Sequence, residues 1–181
     1  MKEISLHIMD IVENSIAANA DLIIIEINEN KREDILKVTI KDNGKGIDNQ
    51  LLKNIKDPFT TSRKTRRVGL GISLFEAACI RCEGDLSIKS KVNVGTEVTA
   101  IMKLSHIDRA PLGRMSETIC SFLLRKDIEI VYKHSVDDKQ FVLDTRELKK
   151  IAGEDLSIPE ILTWIREYID ENLEKIGSKK W

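Results

Sequence analysis

The chain has 181 residues, which is enough for one full hydrophobic core, or for one domain and a small appendix. Its 29 Lys and Arg residues nearly balance its 30 Asp and Glu residues, and the net charge of −1 excludes a strong overall field that would attract nucleic acid or anionic lipid. The longest strongly apolar run, residues 22–25, is too short to cross a bilayer, and the start lacks the long apolar segment of a signal peptide. The three cysteines are consistent with reduced thiols in the cytoplasm.

The first predicted element is a helix over residues 4–18, which carries two candidate functional side chains. Asp10 and Asn14 are four residues apart and therefore share one face of the helix. The amide oxygen of Asn14 is a hard ligand suited to Mg²⁺, and the carboxylate of Asp10 could orient a water molecule. The pair predicts a metal-assisted site on this face.

Two strands, predicted over residues 22–28 and 35–41, follow as a hairpin rich in β-branched residues. The second strand leads into residues 42–47, DNGKGI. Asp42 can accept a hydrogen bond from an exocyclic amine, while Gly44 and Gly46 allow the backbone to approach a flat ligand. On its own the same stretch is also typical of an ordinary turn.

Residues 48–55 predict a short helix, and residues 56–68 predict a loop, because they show no apolar period and contain many hydroxyl and basic side chains. The loop leads into Gly69-Leu70-Gly71 and a helix over residues 69–82. Glycines at a helix start, preceded by cations and hydroxyls, suit a polyphosphate held by backbone N–H groups and the helix dipole. The alternative is a solvated charged loop without a ligand.

A second hairpin is predicted over residues 85–90 and 96–104, with its turn at residues 91–95 and a Gly95-Thr96 pair opening the last strand. Two hairpins and three helices predict a two-layer α/β sandwich in the first part of the chain.

Four motifs, at residues 10–15, 42–47, 69–74 and 95–96, resemble in order and spacing the ATP-binding domain shared by gyrase, heat-shock chaperones, histidine kinases and MutL. This is the Bergerat fold of the GHKL superfamily, and the likeness covers roughly residues 1–104. By this resemblance Asn14 holds Mg²⁺, Asp42 binds the adenine amine, and residues 56–68 cover the phosphates. The resemblance implies an ATP-binding set of Asn14, Asp42, Gly44, Gly46, Thr61, Lys64, Arg67, Gly69, Leu70, Gly71 and Thr96.

Cys79-Ile80-Arg81-Cys82 is a C-x-x-C sequence in the helix after the second glycine motif. It admits a redox or metal role, but only Cys120 could add a further thiolate, and related chains generally carry apolar core residues here. We favour core packing for both cysteines.

The likeness ends near residue 104, and we predict a second, smaller α+β unit over residues 105–181. Its start, residues 105–112, resembles the phosphoacceptor box of sensor histidine kinases, with His106, Arg109, Pro111 and Leu112 in register. In those kinases, however, the box precedes the ATP-binding domain, and its acid directly follows the histidine. The alternative is a linker in which Pro111 starts a helix over residues 112–125 and His106 is structural.

The remaining elements are strands over residues 127–133 and 140–143 and helices over residues 145–152 and from residue 158 onward. Ser157 and Glu160 form a capping-box signature for the last helix. Its apolar stripe is expected to pack on the hairpin, and a partner-binding or dimer face is the alternative.

Three functions are compatible with the resemblance. We favour an ATP-dependent protein kinase in signalling that transfers phosphate to His106 or to a partner protein. A conformational switch driven by ATP hydrolysis, as in MutL and the chaperones, and a noncatalytic nucleotide sensor are the alternatives. The expected cofactors are ATP and Mg²⁺, and the expected partner is a protein or a second copy of the chain.

Asp10 is the catalytic candidate besides His106. In hydrolysing relatives the equivalent acid is usually glutamate, which is one methylene longer. A base that cannot reach the attacking water loses general-base assistance worth roughly 10² to 10⁴ in rate. We therefore expect slow intrinsic hydrolysis together with intact ATP binding.

Overall fold

The computed structural model describes residues 2–48, 52 and 70–178. Five helices and six strands lie in these ranges: α1 Ile4–Ala17, β1 Leu22–Asn30, β2 Ile35–Asp42, α2 Leu70–Arg81, β3 Asp85–Lys91, β4 Gly95–Lys103, α3 Met115–Phe122, β5 Glu129–Val136, β6 Lys139–Asp144, α4 Thr145–Ala152 and α5 Pro159–Ile176. The predicted loop 56–68 and most of the predicted helix 48–55 lie outside the described residues.

The six strands form one sheet in the order β3-β4-β2-β1-β5-β6. Neighbouring strands are antiparallel except for β1 and β5, which run parallel with Ile25 opposite Tyr132. The β5–β6 hairpin therefore continues the sheet past β1. Segments on both sides of the predicted boundary at residue 104 share this sheet and one hydrophobic core.

Alternation along the strands directs one face of the sheet toward the helices. Register aligns the buried side chains of neighbouring strands: Ile23 lies opposite Ile130, and Ile40 opposite Val98. These residues join one buried cluster with the inner sides of α1, α2, α3 and α5. Burying an isoleucine of this kind stabilises the fold by about 1.5 to 3 kcal/mol. The two-layer α/β architecture predicted from the sequence is confirmed.

The predicted helix start at residue 112 is wrong, because α3 begins at Met115. The carbonyls of Pro111 and Leu112 accept hydrogen bonds from the amides of Ile4 and Ser5, two of the first-turn donors of α1 that have no partner within the helix. Gly113 follows with φ of +85°, a conformation that a helix cannot include.

The last helix, α5, packs inward as predicted. Ile165, Ile169, Leu173 and Ile176 are buried, and Tyr168 contacts Phe141 of β6 edge to face. The predicted capping box is not formed. Ile158 is the N-cap residue, while Ser157 donates its hydroxyl to Asp155.

Both cysteines of the C-x-x-C sequence are buried in the core. Burial, together with the nearby Cys82 and Asp85, raises the pKa of the Cys79 thiol to about 12. A thiol with so high a pKa supplies almost no thiolate at neutral pH, and the thiolate is the form that attacks disulfides and binds metals. This environment supports core packing. Across residues 2–48, 52 and 70–178, no cluster of three His, Cys, Asp or Glu side chains suits a metal ion.

The helices in the described part of the chain include none with the length and apolar character needed to cross a bilayer.

His7 is a buried histidine between α1 and α2. Its ring stacks on Phe75 with centroids 4.7 Å apart, and its Nδ1 has no hydrogen-bond partner within the described residues. Burial, and to a lesser degree positive charges that include Arg81, lowers the pKa of His7 from 6.5 to about 4. The neutral ring is therefore the form that the fold accommodates.

Acidification should destabilise the protein through His7. Its pKa is depressed on folding, so the unfolded chain binds the proton more readily, and stability is lost as the pH falls from 6.5 toward 4. The loss should approach about 3 kcal/mol near pH 4. Urea unfolding of His7→Phe, which keeps a ring against Phe75, should show a flatter pH dependence than the wild type. Asn172→Ala, which changes a side chain on α5 that does not titrate, serves as the control. Equal slopes for all three proteins would contradict the assignment.

Candidate functional site

Asp42 is the most constrained polar side chain near the first glycine motif. It ends β2, is only 8% exposed, and its Oδ1 accepts hydrogen bonds from the amides of Gly44 at 2.9 Å and Thr96 at 3.2 Å. Its Oδ2 accepts the hydroxyl of Ser15 at 2.7 Å. Each carboxylate oxygen can accept about two hydrogen bonds, which leaves one position on Oδ2. The carboxylate is thus held by β4, the glycine loop and α1 while keeping one acceptor position.

Glycines bring these three elements together. Gly95 has φ of +133°, and a Cβ at this position would overlap the carbonyl oxygen of Asp42 and lie 2.8 Å from its carbonyl carbon. A Cβ on Gly44 would lie 2.9 Å from the carbonyl oxygen of Ala18 at the end of α1. Glycine is therefore needed at both positions for the backbone to pass so close to its neighbours.

A hydroxyl network ties the β3–β4 turn to the glycine loop. Ser90 accepts the amide of Ile47 at 2.8 Å and lies 2.9 Å from the hydroxyl of Thr96. Sequence reasoning missed Ser90, although the predicted hairpin register already places it opposite Thr96. It also missed the role of Ser15, which directly follows Asn14 in the first motif.

A cavity of about 110 Å³ lies between α1, α2 and the sheet. Its walls are mostly apolar, and Asp42 and Asn14 are among its polar residues. The lining is completed by Ile11, Ser15, Ala17, Ala18, Lys45, Gly46, Ile47, Ile72, Thr96 and Val98. Lys45 was not among the sequence candidates. Apolar walls with one buried acceptor suit a flat heteroaromatic group that carries an amine.

Asp10 and Asn14 lie one turn apart on α1, as predicted. Asn14 lines the cavity, whereas Asp10 faces the start of the described part of α2, its Oδ2 3.1 Å from where a Cβ of Gly71 would stand. Within the described residues, neither side chain has a hydrogen-bond partner. Two oxygen-bearing side chains that no described residue engages fit the chemistry of a Mg²⁺ ligand and a water-orienting acid.

Leu70 opens the described part of α2 and is largely exposed. The other candidates of the phosphate-binding region, Thr61, Lys64, Arg67 and Gly69, lie outside the described residues.

His106 is not brought together with the other candidates. It occupies the turn after β4, where its Nδ1 accepts the amide of Asp108 at 3.1 Å and its Nε2 lies 3.6 Å from Glu83. β4 begins beside Asp42 and ends at Lys103, and a strand of that length spans about 25 Å. His106 therefore lies at the opposite end of the sheet from the cavity.

The motifs, their spacing and the geometry around Asp42 agree with a family-level comparison. A model of the family described as histidine kinase-, DNA gyrase B-, and HSP90-like ATPase matches residues 2–106, more than half of the chain. The chain belongs to this family. The resemblance inferred from the four motifs is thereby confirmed.

Several curated relatives are sensor proteins and kinases. The chain is 33% identical over 110 residues to the sensor protein kinase FleS of Pseudomonas aeruginosa, which covers 61% of this chain and 27% of FleS. It is 34% identical over 86 residues to a putative sensor protein of Shewanella frigidimarina, covering 47% and 13% of the two chains. It is 37% identical over 68 residues to sporulation kinase D of Bacillus subtilis, covering 38% and 13%. The chain thus spans about a quarter or less of the length of these relatives.

Solved structures show the same fold. The N-terminal domain of a DNA repair protein matches with a TM-score of 0.54 at 17% identity, covering 80% of this chain and 53% of that one. The Aquifex aeolicus MutL ATPase domain complexed with ADP matches with a TM-score of 0.50 at 16% identity, covering 86% and 69%. At these identities the likeness concerns the fold alone. Its coverage extends beyond the residues of the family match.

Proposed function

We propose that this chain binds ATP and Mg²⁺ in the cavity between α1 and the sheet and acts as an ATP-dependent protein kinase in a regulatory system. The observation that carries the proposal is the buried Asp42 carboxylate, fixed by Ser15, Gly44 and Thr96 and bordering an apolar cavity. The sensor and sporulation kinases among its relatives support kinase activity.

In this proposal Asp42 receives the adenine amine on the free position of its Oδ2. Apolar side chains such as Ile11, Ile72 and Val98 provide the walls against which the base is buried. A hydrogen bond between an amine and a carboxylate is charge-assisted and therefore stronger than a neutral one. Adenine is thus selected over bases that present a carbonyl at the same place.

Asn14 would hold Mg²⁺ through its amide oxygen, and the ion would neutralise phosphate charge during transfer. Asp10, one turn earlier and without a hydrogen-bond partner among the described residues, would orient the attacking group. Resemblance assigns the phosphate contacts to the region of Thr61, Lys64, Arg67 and Gly69, together with Leu70 and Gly71 at the start of α2. The positive end of a helix dipole favours a phosphate at this point.

The phosphate acceptor in this proposal is a group on another protein molecule. His106 lies beyond the far end of β4, a strand of about 25 Å that begins beside Asp42, so we infer that it receives no phosphoryl group from the site of its own chain. A second copy could offer its own His106, and a partner protein could offer another side chain.

An ATPase that switches conformation is the second candidate. The contact of Asp10 with Gly71 favours this candidate, because a movement of the Asp10 side chain would displace the start of the described part of α2. The shared fold with the MutL ATPase domain agrees with such a role.

The test is incubation with γ-labelled ATP and Mg²⁺, alone and with candidate partner proteins. Label transferred to protein would support the kinase, free phosphate without protein label would favour the switch, and label remaining on bound ATP would favour a nucleotide sensor. Asn14→Ala should abolish transfer and Mg²⁺-dependent binding. Asn172→Ala, another helical asparagine, is the matched control. Acid-labile label lost in His106→Ala would identify transfer to that histidine between copies. Failure of the wild type to bind ATP would overturn the proposal.

A further inference from the structure

The turn between β3 and β4 presents two apolar side chains to solvent. Val92 is 50% exposed and Val94 is 59% exposed, although valine is among the residues most often buried. Three lysines border the turn on the outer face of the sheet. We call the set of Lys41, Lys89, Lys91, Val92 and Val94 the hairpin patch.

Strand register explains why the lysines converge. Lys89 and Lys41 both lie opposite Glu97, one on either side of it, and Lys91 is two residues beyond Lys89 on the same face. Together with Val94 they line a depression of about 230 Å³.

Lys103 and Lys133, on β4 and β5, pair with Glu83 and Glu26. Lys37 and Lys139, on β2 and β6, have no ion pair within the described residues. Within the described residues, Lys41, Lys89 and Lys91 form no ion pair. Glu97 and Asp42, which line the same depression, offset part of this charge, so the lining keeps a net positive charge in a chain whose net charge is −1.

We propose that the hairpin patch docks a segment of a partner protein that carries both acidic and apolar side chains. Acidic groups complement the three lysines, and apolar groups cover Val92 and Val94, so both features of the patch find a partner in one segment. The phosphate backbone of a nucleic acid would leave the valines uncovered. Proteins usually bind a lipid surface through aromatic or long apolar side chains, and the hairpin patch has neither.

The patch is connected to the candidate nucleotide site through short backbone contacts. The amide of Asn93 donates to the carbonyl of Lys45 at 2.8 Å, and Gly46 packs against the carbonyl of Lys91 so closely that a Cβ would overlap it. Lys45, Gly46 and Ile47 also line the cavity. A partner that shifts the turn therefore shifts the glycine loop. Docking itself is independent of ATP, whereas this effect on ATP affinity rests on the proposed function.

The test of docking is selection of short random peptides displayed on phage against the folded chain. Peptides are counter-selected against the triple variant Lys89→Gln/Val92→Ser/Val94→Ser. Enriched peptides should be rich in Asp and Glu and contain apolar residues, and by fluorescence anisotropy they should bind the wild type at least about tenfold more tightly than the variant. Lys139→Gln/Val142→Ser, which changes the same residue types on β6, should bind like the wild type.

Three outcomes would overturn docking: no enrichment, enrichment of peptides without acidic residues, or equal binding to the wild type and the triple variant. Duplex DNA or phosphatidylserine vesicles that bind through the patch in place of the peptides would also overturn it. The folding of each variant is checked by thermal unfolding.

A second measurement separates the docking surface from the proposed function. Saturating peptide should change the affinity for a fluorescent ATP analogue at least about fivefold, which is in the range of ordinary coupling between sites. The Asp42→Asn variant should bind the peptide normally while its nucleotide binding is weak. A wild type that binds peptide but no nucleotide would overturn the proposed function and leave docking intact. Peptide binding without any change in ATP affinity would overturn the coupling.

Discussion

Asp42→Asn is expected to weaken ATP binding by about 10- to 100-fold, the loss of one hydrogen bond to a charged group. The Oδ1 position can still accept the amides of Gly44 and Thr96, so the loop should keep its conformation. The position of Oδ2 then carries an NH₂ group. This group and the adenine amine are both hydrogen-bond donors, so they would repel each other. The variant should therefore lose affinity without losing its fold, as measured by calorimetric titration and thermal unfolding.

Inosine triphosphate sharpens this experiment, because its base carries a carbonyl oxygen where adenine carries the amine. The wild type should prefer ATP, and Asp42→Asn should lose or reverse that preference. Asp138→Asn, which changes an exposed aspartate paired with Arg32, should leave both affinities unchanged. Equal ATP binding by the wild type and Asp42→Asn would contradict the assignment of Asp42 to the adenine site.

Gly95→Ala is expected to destabilise the protein by about 3 kcal/mol or more. Two effects add at this position: a φ of +133°, which L side chains rarely adopt, and the overlap of the new Cβ with the Asp42 carbonyl. Neither backbone can yield without separating β4 from β2 next to the Asp42 side chain. ATP affinity should therefore fall with stability.

Gly153→Ala separates the two effects. Gly153 has φ of +94°, but a Cβ there would meet no atom within 4 Å. Its alanine variant should show the cost of the backbone conformation alone, about 1 to 3 kcal/mol in urea unfolding. If Gly95→Ala costs no more than Gly153→Ala, the close approach of β4 to Asp42 is not a constraint on the fold.

Local sequence patterns predicted much of the first part of the chain. The alternation in residues 35–41 fixes which side chains face the core, and it places Asp42 at the strand end. The four-residue spacing of Asp10 and Asn14 fixes their common face on α1. Each of these features depends on the geometry of a single element, which the order of residues specifies directly.

Contacts between elements distant in sequence were beyond the same reasoning. The hydrogen bond from Ser15 to Asp42 joins residues 27 positions apart, and no periodicity marks it. The later start of α3, at Met115 instead of residue 112, was missed because Gly113 takes a positive φ to bring Pro111 and Leu112 to the start of α1. The addition of β5 to the sheet depends on which edge is open once β1 and β2 have paired.

The pairing of β5 with β1 affects how the nascent chain folds during synthesis. Glu26 and its partner Lys133 are 107 residues apart. The first turn of α1 also obtains its hydrogen-bond acceptors only from Pro111 and Leu112, which are synthesised much later. Contacts between residues so far apart in sequence form slowly, because a long loop must close before the contacts stabilise the fold. On the ribosome, most of the ATPase motifs would emerge long before the strand that completes their sheet. The nucleotide-binding half therefore reaches its final structure only when residues near 136 have left the exit tunnel, and until then the free side of β1 is open to pairing with other chains.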